Sequence, residues 1–205
     1  MENRANPAAM WDERYSQTEP VYGEQPNNYL RAQVHRLAPG AAVLVPGDGY
    51  GRNGLWLAQQ GFRVHTVDLS PIGVERARNS ARAAGLNVTI EQADLSTWAW
   101  PRDRFDAVFS IFVHLFPNVR SVIHASILRA LVPGGICVLE AFAPGQLKFS
   151  SGGPKQVDLL YSAEILRQDF AAADILALED ATVLLNEGRM HNGPGAVVRG
   201  VFRKK

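Results

Sequence analysis

Glycines 47, 49 and 51 stand G-x-G-x-G in the run VLVPGDGYGRNG, and Asp68 follows seventeen positions after the last of them, in VHTVDLSP. Residues of these types at this spacing describe a nucleotide-type site. Glycine lets the chain turn sharply and lets a ligand approach the backbone with no Cβ in the way. The free N–H groups of the helix that follows favour an anion such as a carboxylate or phosphate. An acid at the tip of the next strand can accept two hydrogen bonds from a ribose diol. The expectation is an adenosine-containing cofactor. The same residues, read from Gly49 to Gly54, also match the G-x-G-x-x-G of nicotinamide dinucleotide sites, so the loop alone does not choose.

Further along, Gln92-Ala93-Asp94-Leu95 offers a carboxylate that can accept from an adenine amino group and an apolar side chain that can lie on the ring. The run FDAVFSIFVHL places Ser110 and His114 at the end of an apolar strand. His114 is the candidate general base, set against the commoner fate of such a histidine as a packed structural group. His191, in the turn before the last strand, is a weaker candidate. Arg52 and Asn53 can meet a carboxylate or remain first-turn residues in solvent. Trp11, Tyr15 and Tyr22 can close over a cationic centre by cation–π attraction or simply pin their segment to the core. No cluster suggests a bound metal.

The elements that must position these groups alternate strand and helix, which argues an α/β fold with a mostly parallel sheet. Strands are expected at 42–45, 63–67, 88–92, 105–111 and 136–142. Helices are expected at about 53–60, from Pro71 (capped by Ser70) to near Gly85, from Pro117 to Leu131, and at about 163–172. The turn Pro133-Gly134-Gly135 leads into the fifth strand. Two last extended segments, 175–184 and 196–203, are joined without a helix, which suits an antiparallel pair at the sheet edge. Two stretches fall outside the repeat: the aromatic-bearing 11–37 and the Gly/Ser/Pro-rich insertion 143–160. Ligands of open α/β sheets sit at strand C-termini, so both are candidate lids, with Gly152-Gly153 as hinges.

A chain of 205 residues with 46% hydrophobic content suits one domain, here 11–205, with 1–10 read as a disordered extension. Formal net charge is +1 with charges mixed along the chain, so no basic stripe points to nucleic acid. No apolar run is long enough for a membrane span, and the polar first residues lack a signal-peptide core. The one cysteine, Cys137, sits in the apolar run ICVLEAF, as expected of a reduced cytoplasmic protein.

Over 43–142 the chain resembles the class I S-adenosylmethionine-dependent methyltransferases, and within them the small bacterial tellurite-resistance and thiopurine methyltransferase groups. The phrases GYGRNGLWLAQQGFRVHTVDLSP, ALVPGGICVLEAFAP and MWDERYSQTEPVYGEQPNNYL carry the likeness. The resemblance implies a single Rossmann-like domain, a seven-stranded mostly parallel sheet with an antiparallel last strand and helices on both faces. It implies S-adenosylmethionine as cofactor, with Gly47, Gly49 and Gly51 along its methionine part and Arg52 at the adjoining helix start. Asp68, with Leu69 beside it, would take the ribose; Asp94 and Leu95 the adenine; Ser110 the sulfonium side. Most of the family has an acid two residues before the first glycine, where this chain has Val45, and Asp48 inside the loop is the expected substitute. The implied reaction is methyl transfer to a small-molecule acceptor, a thiol or chalcogen oxyanion being suited because it needs no base. The alternatives are an NAD(P)-dependent oxidoreductase and a non-catalytic protein that binds S-adenosylmethionine.

Overall fold

The computed structural model describes residues 7–205. Its parallel strands are β1 (Ala42–Pro46), β2 (Arg63–Asp68), β3 (Val88–Gln92), β4 (Phe105–Ile111) and β5 (Leu131–Phe142), followed by β6 (Ala173–Asn186) and β7 (Asn192–Lys204). The helices are α1 (Pro7–Tyr15), α2 (Asn28–Gln33), α3 (Arg52–Gln59), α4 (Pro71–Ala83), α5 (Pro117–Ala130) and α6 (Ala163–Asp169). The seven strands form one sheet in the order β3-β2-β1-β4-β5-β7-β6, with β7 antiparallel to both neighbours. The expected architecture is therefore present, down to the hairpin at the edge.

Alternation along the central strands sorts side chains onto two faces, as a pleated sheet covered on both sides requires. Leu44, Val108, Cys137 and Leu139 join Ile127 of α5 and Leu166 of α6 on one face. Val43, Val45, Phe109 and Val138 join Leu30 of α2 and Leu57 of α3 on the other. Strand order reverses between β1 and β4, both of which pair with parallel neighbours. Their C-terminal ends flank the switch-point crevice where such sheets bind ligands.

Several boundaries differ from expectation, β7 starting at Asn192 and α6 ending at Asp169 among them, and two more are informative. β5 begins at Leu131, because Leu131 already pairs with Phe105 before the Pro133-Gly134-Gly135 segment interrupts the register and pairing resumes at Ile136. At the other end, Pro7–Met10, expected to extend loosely, are helical in α1; residues 1–6 of that extension lie outside the described residues.

Candidate functional site

The glycine loop leaves β1 through Gly47, Gly49 and Gly51, with φ of 67°, 60° and 90°, a region side chains rarely adopt. Space forbids side chains as well: a Cβ on Gly47 would lie 2.8 Å from a methyl of Val113, and one on Gly49 2.6 Å from the Tyr15 hydroxyl. The loop is tied to β2, with Gly47 N–H donating to the Val67 carbonyl at 2.7 Å and Gly49 N–H to Asp68 Oδ2 at 2.7 Å. Asp68 Oδ1 accepts from Ser70 N–H at 2.8 Å. Burial pushes the Asp68 carboxyl up from its ordinary range while these two N–H groups pull it back. Ser70 caps α4 by accepting from Gly73 N–H, and its own hydroxyl donates to Asp12 of α1. Leu69 is half-buried beside Asp68.

Asp48 points under the loop. Its Oδ2 accepts from Gly54 N–H at 2.9 Å in the first turn of α3, and its Oδ1 is buried without a partner. Burial raises this carboxyl to about 7. Val45, where the family's acid is expected, is buried in the apolar face with Val43 and Leu57. Asp48 thus orders the loop and keeps one oxygen uncommitted.

Arg52 is engaged elsewhere. Its Nη2 pairs with Glu187 Oε2 at 2.6 Å and its Nη1 donates to the Gln25 carbonyl at 3.1 Å. Asn53 Oδ1 accepts from Asn27 N–H. These bonds open onto a buried polar chain. Asn27 Nδ2 donates to Glu187 Oε1 at 3.0 Å and to Glu140 Oε2 at 2.6 Å, and Glu140 Oε1 accepts from Arg199 at 2.7 Å. Sequence spacing missed Glu187, Asn27 and Arg199, which are distant along the chain. Glu140 did leave a signal, as a charge inside the apolar run ICVLEAF that only buried partners could sustain.

At the strand ends the expectations divide. Ser110 is buried on β4 opposite Leu139. Asp94 is exposed, and its Oδ1 accepts from the N–H and hydroxyl of Ser96, a turn-capping arrangement. Leu95 packs partly against the core cluster that includes Val67 and Val108. His114 is no free base: its Nδ1 lies 2.7 Å from the Leu159 carbonyl, and its Nε2 accepts from Phe142 N–H at 3.3 Å. Burial pushes its pKa down to about 4. Both nitrogens fasten the loop after β4 to the insertion and to β5, the structural alternative weighed for this histidine.

The two expected lids are packed down. Tyr15 stacks on Trp11, meets Tyr22 and Tyr50 edge-on, and lies against Gly49 and Gly73. Trp11 and Tyr22 thus pack around Tyr15. Tyr50, unnoticed in the sequence, pins the segment: its hydroxyl accepts from Tyr22 N–H and donates to the Gly23 carbonyl. In the insertion, Gln146 binds Ser151, Gly152 and Ala196 N–H, so the Gly152-Gly153 pair is clamped to β7. Among the described residues no group of His, Cys, Asp and Glu could hold a metal, and no helix is long and apolar enough to cross a membrane.

Residues 43–135 match the family model described as a methyltransferase domain. This stretch, from β1 into the start of β5, is the methyltransferase-like part of the chain. The fold superposes on TehB from Haemophilus influenzae with a TM-score of 0.71 over 87% of this chain and 62% of that one, at 18% identity. A protein solved in work on the conversion of a disulfide bond into a thioacetal group during echinomycin biosynthesis superposes with a TM-score of 0.77 over 98% of this chain and 93% of that one, at 23% identity. In sequence, the chain is 44% identical over 70 residues to a thiopurine S-methyltransferase of Pseudomonas entomophila, covering 33% of this chain and 32% of that protein. It is 35% identical over 105 residues to the S-adenosyl-L-methionine-dependent Diels-Alderase iccD of Talaromyces variabilis, covering 48% and 35% respectively. The chain spans about a third of the length of these curated relatives.

Proposed function

We propose that the chain transfers a methyl group from S-adenosylmethionine to a small anionic acceptor, a thiolate or chalcogen oxyanion. The observation that carries this reading is the pair of carboxylates at the glycine loop. Asp68 braces Gly49 from β2, and Asp48 keeps a buried oxygen unpaired beneath the same loop. An unpartnered carboxylate oxygen beside a cradle that admits no Cβ fits a ligand bearing an ammonium group. In this reading Gly47, Asp48, Gly49 and Gly51 hold the amino-acid end, Asp68 and Leu69 the ribose, Asp94 and Leu95 the adenine, and Ser110 the reacting end.

When bound, S-adenosylmethionine supplies a methyl group already activated by its sulfonium charge. The protein's share is alignment and exclusion of water, which the packed lids serve. His114 cannot take a proton while both nitrogens hold backbone groups, which supports an acceptor that arrives as an anion. The test is S-adenosylhomocysteine release across thiols, halides, tellurite and phenols, paired with calorimetry using S-adenosylmethionine and NADH titration. Turnover with a thiol or chalcogen oxyanion is expected. Binding of NADH alone would favour an oxidoreductase, and cofactor binding with no turnover would favour a non-catalytic binding protein.

A further inference from the structure

The N-terminal edge of the sheet, at the far end of the strands from the glycine loop, carries a cavity of about 600 Å³. It is lined by the starts of four neighbouring strands, β3, β2, β1 and β4, and by the turns that close α3 and α4 at Gly61 and Gly85. A Cβ added to either glycine would meet nothing within 4 Å, and both turns are exposed. The cavity is therefore open to solvent as it stands, with a size that suits a small organic ligand.

Its lining holds two guanidiniums, Arg63 and Arg104, and no carboxylate. Among the described residues neither arginine forms an ion pair. Arg63 Nε donates to the Gly40 carbonyl at 3.0 Å, and Arg104 lies over the Phe105 ring at 5.6 Å, contacts that place both side chains and leave their charges unanswered. The register that pairs Val43 with Ala107 sets Arg104 level with Gly40, so the two arginines flank the entry to β1. The acids next to the lining are engaged: Glu91 accepts from Trp98 and faces His65, and Asp106 Oδ2 accepts from Ala42 N–H. The last carbonyls of α3 and α4 are also taken, by N–H groups of Gln60, Gly61 and Phe62 and of Ala84, Gly85 and Leu86. His65 joins the cavity to the interior. It is buried, shares the lining with its register partner Thr89, and has Nε2 3.1 Å from Glu91 Oε2. Burial lowers its pKa, Glu91 opposes this, and Arg104 adds to the lowering, so the ring senses the charge that lines the cavity.

We propose that this cavity binds an organic phosphate monoester, its phosphate held by Arg63 and Arg104 and its apolar body laid against Phe62, Leu86 and Phe105. Two unpaired positive charges call for a dianion, and a phosphate monoester carries close to two negative charges at pH 7. Its oxygens match the planar donors of guanidinium, and Asn87 and Thr89 in the same lining add neutral donors. The cavity and the glycine loop lie at opposite ends of β1, so this ligand neither requires nor displaces S-adenosylmethionine, and the site stands apart from the methyl-transfer reading.

The probe is phenyl phosphate, titrated into the full chain by calorimetry beside inorganic phosphate and uncharged benzyl alcohol, with histidine ring resonances followed by NMR. Phenyl phosphate is expected to bind about tenfold more tightly than either comparator. Of the five histidines, His65 should shift on binding while the other four hold their positions. Arg63→Gln and Arg104→Gln should each weaken phenyl phosphate about tenfold. Both side chains are exposed, so melting temperature should be unchanged and S-adenosylhomocysteine affinity should stay within about twofold of wild type. Absence of phenyl phosphate binding, equal binding of either comparator, a shift at another histidine in place of His65, or full affinity in both variants would overturn the proposal. Displacement of phenyl phosphate by S-adenosylhomocysteine would place the probe in the cofactor crevice and overturn it as well. Should S-adenosylhomocysteine fail to bind while phenyl phosphate behaves as expected, the methyl-transfer reading fails and the phosphate site stands.

Discussion

Asp48 is where a single side chain governs the chemistry of the loop. Its carboxyl is raised to about 7 by burial, so the unliganded molecule carries it largely neutral below that pH. A ligand ammonium needs the anion. S-adenosylhomocysteine affinity should therefore rise about tenfold between pH 6 and 8 in wild type, and calorimetry should find that slope absent in Asp48→Asn. An unchanged slope in the variant would remove Asp48 from the ammonium contact. His114 gives the opposite case, a residue of chemical type in a structural post. His114→Ala should lower stability by about 1–3 kcal/mol through two lost backbone partners, with the loss seen in thermal melts. A hundredfold fall in kcat with an unshifted melting temperature would restore it as a base.

At the scale of elements, the β6–β7 hairpin is joined to α3 by one buried ion pair, Arg52–Glu187 at 2.6 Å. Removing one partner strands the other charge. Glu187→Ala should cost about 3–5 kcal/mol in urea denaturation, well above a typical surface change, and a cost under about 1 kcal/mol would show the pair to be dispensable. This pair also marks the limit of what could be read from the chain. Strand and helix periods are local, so β1 to β4, α3 and α4 fall within a few residues of expectation. Glycine spacing and Asp68 are likewise local to one β-α-β unit, and the structure joins them by a hydrogen bond. Arg52 and Glu187 meet across 135 positions, and no spacing rule links them. For His114 the residue type was visible, but Leu159 and Phe142, which occupy its nitrogens, had to be folded against it first.

For the molecule as a whole, buried titratable groups oppose one another. His114 and His191 are held at about 4 and about 3, below the ordinary 6.5, so their contribution is present above that value and is lost as pH falls toward 4. Asp48 is raised from 3.8 to about 7, so its contribution is present at low pH and is lost as pH rises through 7. The two trends run in opposite directions over one window. With two such histidines against one aspartate, melting temperature should rise gently from about pH 4.5 to 6.5 in wild type, level out in His191→Phe, and rise more steeply toward neutral in Asp48→Asn. Parallel profiles for all three proteins would sink this account. Cys137 offers a way to watch the same molecule over time. It is the sole cysteine, lies fully buried on β5 between Val108 of β4 and Phe202 of β7, and burial pushes its thiol pKa up. A thiol reagent can reach it only when the centre of the sheet comes apart, so the labelling rate acts as a clock for global opening, already built into the chain. If S-adenosylhomocysteine binds the closed sheet, it should slow that clock in proportion to occupancy, without any probe having been engineered.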